Sequence, residues 1–299
     1  MPSKNILVVA GTHGNEINPV WAVNEFRNSK KLKRNEERIK FTIGNPLALE
    51  KGLRYVDTDL NRSFNTDQNV YTSYENKRAN YLVNKYGLNG SDECQIAIDL
   101  HTTTASMGTS IVMYGRREKD FCLASILQNK FGLPIYLHDK DKSQKGFLVE
   151  AWPCGLVLEI GPVPQNYYDS KITARFLIVL DFLNDLVNNF ENYRVKIPNQ
   201  MTVYVHDKSI DYPRGVDLNI EGLIHPDRLN KDWELLKKGD PLFINLNGKT
   251  INYGENKEVY PVFIGEAAYR EKNIAMSFTT KESINCSKGW IDNFVDSYA

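Results

Sequence analysis

Short apolar runs, each ending at or carrying a chemically reactive residue, constrain this chain most. Ile6–Ala10 is wholly apolar and leads into Gly11-Thr12-His13-Gly14-Asn15-Glu16. Residues 95–100 lead into His101-Thr102-Thr103, and residues 156–160 carry Glu159 within them. Runs this short and this apolar read as strands buried on both faces. The segments between them change period. Residues 18–27 place Val20, Trp21, Val23 and Phe26 at helical spacing, residues 71–86 form a polar amphipathic helix ended by Gly87, and residues 120–131 form a helix closed by Gly132. Residues 172–190 line up Phe176, Leu180, Leu183, Leu186, Val187 and Phe190 along one helical side. With Ile39–Ile43 and residues 110–114 as further strands, the first 198 residues read as an α/β domain around a buried sheet. In such sheets ligands bind at the carboxyl ends of strands, which is where His13, His101 and Glu159 fall.

After residue 198 the texture changes. Short stretches (201–206, 241–245 and 259–264) alternate with turn formers, and Asn247-Gly248 is a strong hairpin signal. Residues 199–299 read as a smaller β-rich domain.

Lys+Arg and Asp+Glu balance at 37 each, so no net field recruits nucleic acid or an anionic membrane. The longest apolar runs, such as 176–180, are far too short to span a bilayer. Ile6–Ala10 is shorter than the apolar region of a signal peptide. Cys94, Cys122, Cys154 and Cys286 form no CxxC pair and fit a reducing compartment. A cytoplasmic location is the expectation, and Asn61-Arg62-Ser63 matches the N-glycosylation pattern without further support for secretion.

Two imidazoles and one carboxylate are a ligand set used by catalytic zinc, with the fourth position left to water. His13, Glu16 and His101 supply that set if they converge, and Asp99 could orient His101. Each has a plainer reading: His13 and Glu16 as a surface pair, His101 as a hydrogen-bonded histidine at a strand end. His138, His206 and His225 read as surface residues in polar loops. The stretch Arg54-Tyr55-Val56-Asp57-Thr58-Asp59-Leu60-Asn61-Arg62 is either a solvated loop of self-paired charges or a source of guanidinium groups for an oxyanion and a carboxylate. Glu159, inside an apolar strand, is either neutralised by a nearby cation or a buried general base of raised pKa.

Taken in order, Gly11-Thr12-His13-Gly14-Asn15-Glu16, the 54–62 stretch, Asp99-Leu100-His101-Thr102-Thr103, Leu158-Glu159-Ile160-Gly161-Pro162 and Glu266-Ala267-Ala268-Tyr269 resemble the aspartoacylase branch of the zinc carboxypeptidase superfamily. Lys238-Gly239-Asp240-Pro241 extends the likeness through the C-terminal half. The resemblance implies a zinc-carboxypeptidase-like mixed sheet flanked by helices, and a C-terminal domain narrowing the active-site channel. It implies one zinc ion per subunit on His13, Glu16 and His101, and Glu159 as the acid/base. Arg54 would polarise the acyl carbonyl, and Asn61, Arg62 and Tyr269 would hold the amino-acid end. The implied reaction is hydrolysis of an N-acyl-L-amino acid, in the best-known case N-acetyl-L-aspartate. The substrate is a small molecule, and the family often forms homo-oligomers.

One departure stands out. Aspartate-specific members carry a further Arg shortly before the catalytic Glu, and residues 139–157 contain none. Lys142 and Lys145 lie there and Lys272 follows Tyr269, but a Lys supplies charge without the bidentate fork. Acylases for aromatic N-acyl amino acids, a small metallocarboxypeptidase, and a non-catalytic metal- or ligand-binding homologue therefore stay open as alternatives.

Overall fold

A computed structural model describes residues 5–29, 32, 35–64, 72–139, 144–191 and 196–296. Its centre is a nine-stranded mixed sheet. The strands are β1 (Ile6–Ala10), β2 (Ile39–Ile43), β3 (Ile96–Thr102), β4 (Thr109–Met113), β5 (Ile135–Leu137), β6 (Cys154–Ile160), β7 (Gln200–Ile210), β11 (Tyr260–Val262) and β12 (Met276–Asn285), in the spatial order β11-β12-β7-β5-β4-β6-β3-β1-β2. A separate three-stranded sheet joins β8 (Gly222–Ile224), β9 (Pro241–Asn245) and β10 (Thr250–Asn252). The helices are α1 (Ile17–Asn28), α2 (Pro46–Lys51), α3 (Tyr74–Tyr86), α4 (Glu118–Phe131), α5 (Ser170–Glu191) and α6 (Gly289–Asp296).

The unbroken apolar run of β1 has a direct cause. Ile6, Val8 and Ala10 point into a core shared with Ala22, Val23 and Phe26 of α1 and with Phe176 and Leu180 of α5. Leu7 and Val9 point the other way, towards Leu82 and Tyr86 of α3 and Trp152. With both faces covered, neither parity can be polar. The same alternation runs along β3 and β6: Ile96, Ile98, Leu100, Leu156, Leu158 and Ile160 fill the first core, leaving Asp99, His101 and Glu159 on the opposite face.

β1, β2, β3 and β6 are mutually parallel, so their carboxyl ends lie along one edge. The register sets His101 of β3 directly beside Glu159 of β6. β7 continues this sheet by pairing parallel to β5, and β12 runs antiparallel along it from Met276↔Ile210 to Asn285↔Gln200. The chain after residue 198 therefore extends the main sheet as well as building the small one. Its last helix, α6, returns to the first core, with Phe294 buried there and Trp290 stacked on Phe121 of α4.

Local signals match. Ser73 caps α3 by accepting from Asn76 N–H, and Gly132 ends α4 in the left-handed region. Gly44-Asn45-Pro46 closes β2 and also starts α2, because Asn45 accepts from Ala48 N–H and Pro46 sits at the first turn. The Asn247-Gly248 turn joins β9 to β10, with Gly248 N–H bonded to Asn245 C=O. The expectation for two histidines is corrected: His138 and His206 are buried, not surface residues. His206 lies within β7, whose strand runs past the end read from the sequence, and its Nδ1 meets Tyr136 Oη at 2.8 Å.

Gly14 fixes the approach of the first loop to α2. A Cβ there would lie 2.1 Å from the Ala48 carbonyl carbon and 2.2 Å from Leu49 N. Backbone cannot yield as a flexible side chain can, so Gly14→Ala is expected to destabilise by roughly 1–3 kcal/mol or more. The same change should displace His13 and Glu16. Denaturant unfolding and zinc content of the purified variant check both outcomes.

Candidate active site

His13 and Glu16 come from the loop after β1, and His101 from the end of β3. All three are buried, and one ligand atom from each lies within 4.8 Å of the others. The Glu16 carboxylate is shared between the rings: Oε1 lies 2.6 Å from His13 Nδ1, and Oε2 lies 3.1 Å from His101 Nδ1. Thr102 N–H also donates to Oε2, at 2.7 Å.

The far side of each ring is tied down in the same way. His13 Nε2 lies 3.0 Å from Asp59 Oδ1, and His101 Nε2 lies 2.8 Å from Asp99 Oδ2. An Nε2–H donated to a carboxylate leaves the Nδ1 lone pair facing inward, which is how metal-binding imidazoles are commonly oriented. The aspartates are themselves held, Asp99 by Thr12 Oγ1 at 2.7 Å and Asp59 by Asn61 N–H at 2.8 Å. Two imidazole nitrogens and a carboxylate, with supporting carboxylates behind them, fit a zinc ion.

Charge explains the protonation pattern. Burial alone would raise the Glu16 pKa, but His101 and His13 hold it far below the ordinary carboxylate range. Burial alone would lower that of His101, yet Asp99 and Glu16 hold it well above the usual imidazole value. Without a metal, a proton on His101 partly offsets the carboxylates around it.

Glu159 faces the same space. Burial, with Glu16 and Glu266 nearby, pushes its pKa up to about 8 against the opposing pull of His101 and Arg54. Its Oε2 is sealed from solvent without a hydrogen-bond partner among the described residues. Arg54 lies across the cluster, with Nη1 3.6 Å from Glu16 Oε1 and Nη2 3.3 Å from Asp59 Oδ2. Burial opposes its charge, but Asp59 and Glu16 raise its pKa further.

Asn61 and Arg62 stand on a short 3-10 turn, Leu60–Arg62. The Asn61 side chain is engaged within the protein: Oδ1 accepts from Leu148 N–H at 2.7 Å, and Nδ2 lies 3.5 Å from His101 Nε2. Arg62 donates to Asn61 C=O at 2.6 Å and lies 3.9 Å over the Phe147 ring. Phe147 in turn stacks on Tyr114 at 3.5 Å. Tyr269 and Arg62 line a cavity of about 20 Å³ with Tyr114, His138, Gln144 and Phe147. Lys272 reaches this cavity's edge through Gln144 at 3.4 Å, Lys145 is exposed, and Lys142 lies outside the described residues.

Glu266 is a site residue that pattern reading did not single out. Its buried carboxylate accepts from Thr103 Oγ1, Thr104 N–H, Thr104 Oγ1 and Ala105 N–H, just past His101, and from Ala268 N–H beside Tyr269. One carboxylate thus staples the loop after β3 to the segment carrying Tyr269. An acidic residue opening a short turn was the available signal.

Comparison with known proteins bears on this arrangement. Residues 2–185 match the model of the succinylglutamate desuccinylase/aspartoacylase catalytic domain, and residues 199–281 match that of the AstE/AspA barrel-sandwich hybrid domain. A protein of Prochlorococcus marinus strain MIT 9515 named "Probable aspartoacylase" is 61% identical over 287 residues, 95% of this chain and 96% of its own. The crystal structure of murine aminoacylase 3 superimposes with a TM-score of 0.84 at 29% identity, covering 96% of this chain and 98% of that one. Succinylglutamate desuccinylase of Vibrio parahaemolyticus shares the fold, with a TM-score of 0.62 at 17% identity over 95% of this chain and 86% of that one.

Two outcomes follow for metal binding. Asp99→Ala should weaken zinc affinity by about 10–100-fold through loss of the His101 orientation, measured by competition with a chromophoric chelator. Because Asp99 and Glu16 raise the pKa of His101, zinc binding competes with a proton on that ring. Affinity should therefore fall as pH is lowered, with proton release visible by calorimetry in buffers of different ionisation enthalpy.

Proposed function

The chain belongs to the succinylglutamate desuccinylase/aspartoacylase family, and we propose that it is a zinc-dependent amidohydrolase that cleaves N-acetyl-L-aspartate to acetate and L-aspartate. The observation that carries this reading is the placement of Glu159. A buried carboxylate with an unpartnered oxygen stands one strand away from a His-Glu-His cluster, at the carboxyl ends of parallel strands. A carboxylate that exchanges protons needs an oxygen not already engaged in a hydrogen bond, and Glu159 keeps one.

His13, Glu16 and His101 would hold zinc, which when bound supplies Lewis acidity towards a water and a carbonyl. Glu159 takes the proton of the attacking water and returns it to the leaving amide nitrogen. A pKa near neutrality suits that double duty, since the group must both accept and release within one turnover. Arg54, beside Glu16 and Asp59, stabilises the negative charge that develops on the acyl oxygen. Arg62 and Tyr269 line the cavity that takes the amino-acid end. Asn61 serves them by bracing Leu148 and accepting Arg62 on its carbonyl.

The small size of the cavity supports the aspartate reading over an aromatic one. Tyr114 and Phe147 form an aromatic wall that would suit a ring, but about 20 Å³ of free space admits little more than a water-sized group. A short acidic side chain needs the smaller rearrangement. The four cysteines, all free thiols, accord with a cytoplasmic enzyme. No helix among the described residues is long and apolar enough to cross a membrane.

The test is a substrate panel of N-acetyl-Asp, N-acetyl-Glu, N-acetyl-Phe and dipeptides on zinc-loaded protein. N-acetyl-Asp should have the highest kcat/KM; turnover of N-acetyl-Phe without N-acetyl-Asp would sink the assignment. Glu159→Gln should lower kcat by about 10²–10⁴-fold with little change in KM. Comparable turnover in that variant would remove Glu159 from the chemistry.

A further inference from the structure

Arg54 and Asp59 flank a stretch of chain that has no helix or strand of its own. Arg54 lies against Glu16 and Asp59 backs His13, so the placing of both bears on the cluster. Between them, three consecutive N–H groups converge on one carboxylate. Val56 N–H donates to Glu75 Oε1 at 2.7 Å, and the N–H groups of Asp57 and Thr58 donate to Oε2 at 3.1 Å each. Asn45 Nδ2 adds a fourth bond, to Oε1 at 3.0 Å. Glu75 is wholly buried in the first turn of α3, where the helix dipole favours an anion. Among the described residues, none of the three N–H groups donates to a backbone carbonyl. Four donors make the buried anion tolerable, and bonds to a charged acceptor are about twice as strong as those to a neutral one. Asp57 Oδ2 accepts from Tyr74 N–H at 2.8 Å, and Thr58 Oγ1 lies 3.1 Å from Ser73 Oγ, so the whole stretch is docked along the start of α3.

We propose that Glu75 is the positioning residue that sets Arg54 and Asp59 against the His13–Glu16–His101 cluster. This rests on the functional reading above. None of the bonds of Glu75 goes to the cluster; it acts through the backbone of residues 56–58. The ends of that stretch meet the loop carrying His13 and Glu16: Arg54 C=O accepts from Gly14 N–H at 3.1 Å, and Asp59 Oδ1 lies 3.0 Å from His13 Nε2. Arg54 and Asp59 also meet each other, at 3.3 Å, so a shift of the stretch moves both. A glutamine of the same size would keep one acceptor and turn an NH2 group towards the N–H donors of the other. The stretch would then back away from α3, carrying the support of His13 and the guanidinium of Arg54 with it.

A double-mutant cycle on zinc affinity, read by chelator competition, tests this, with thermal unfolding to confirm folding. Glu75→Gln and Asp59→Ala should each weaken zinc binding by about 10–100-fold, the usual cost of a lost supporting group. The double variant should bind within about threefold of Asp59→Ala alone, because the first change acts through the second residue. At saturating zinc, Glu75→Gln should lower kcat on N-acetyl-Asp by roughly 10²-fold, the cost of about 1 Å of misplacement, with KM little changed. Effects that multiply in the cycle, or a folded Glu75→Gln that keeps both zinc affinity and kcat within about twofold, would overturn the role of Glu75. Glu75→Asp, which keeps the charge but shortens the reach, replaces Glu75→Gln in the cycle if that variant does not fold. In the wild type, the amide hydrogens of Val56, Asp57 and Thr58 should exchange slowly; exchange at the rate of an open loop overturns the proposal without any variant. A wild type that shows the expected zinc cycle and slow amides but turns over no N-acetyl amino acid overturns the functional reading and leaves the support of His13 through Glu75 standing.

Discussion

Everything in the site depends on one carboxylate shared by two imidazoles. Glu16 faces His13 with one oxygen and His101 with the other, while Asp59 and Asp99 hold the opposite nitrogens. The arrangement packs two buried carboxylates and one half-buried carboxylate around two rings, and burying charge is unfavourable unless it is compensated. Arg54 offsets part of it from one side, and a proton on His101 offsets more. A divalent cation at the inward nitrogens would do so more completely. The acidity of Glu16, the basicity of His101 and the fit of the cluster for a metal are thus consequences of the same packing.

The fold makes that packing available. Parallel pairing of β1, β3 and β6 brings three strand ends to one edge, and strict register puts His101 next to Glu159. A one-residue slip in either strand would turn the functional side chain into the α1/α5 core. The later part of the chain is joined to this edge by Glu266, whose bonds to residues 103–105 hold the turn bearing Tyr269 against the loop beyond His101. The turn bearing Tyr269 is therefore positioned by the same strand exit that supplies His101.

Much of this was legible in the sequence because it rests on local pattern. The buried strands showed in their unbroken apolar runs, and the placement of His13, His101 and Glu159 at strand ends followed from the α/β alternation. The misreadings have physical causes. His138 and His206 have polar sequence neighbours, but each packs against the other and against Tyr136, with Phe147 against His138, and the β5–β7 pairing that brings them together lies outside any local window. Gly44-Asn45-Pro46 was legible as a stop but not as the cap of α2, because the two signals share residues. Glu266 meets a partner 163 residues away, so its role emerges only from the tertiary fold.

In the proposed site His13, Glu16 and His101 close on one zinc ion beside Glu159. Anomalous diffraction at the zinc edge from crystals of the zinc-loaded protein tests it most directly. A single full-occupancy peak is expected about 2.0–2.2 Å from both imidazole nitrogens and the Glu16 carboxylate. Anomalous density confined to other sites, with this cluster retaining its direct histidine–carboxylate bonds, would contradict it.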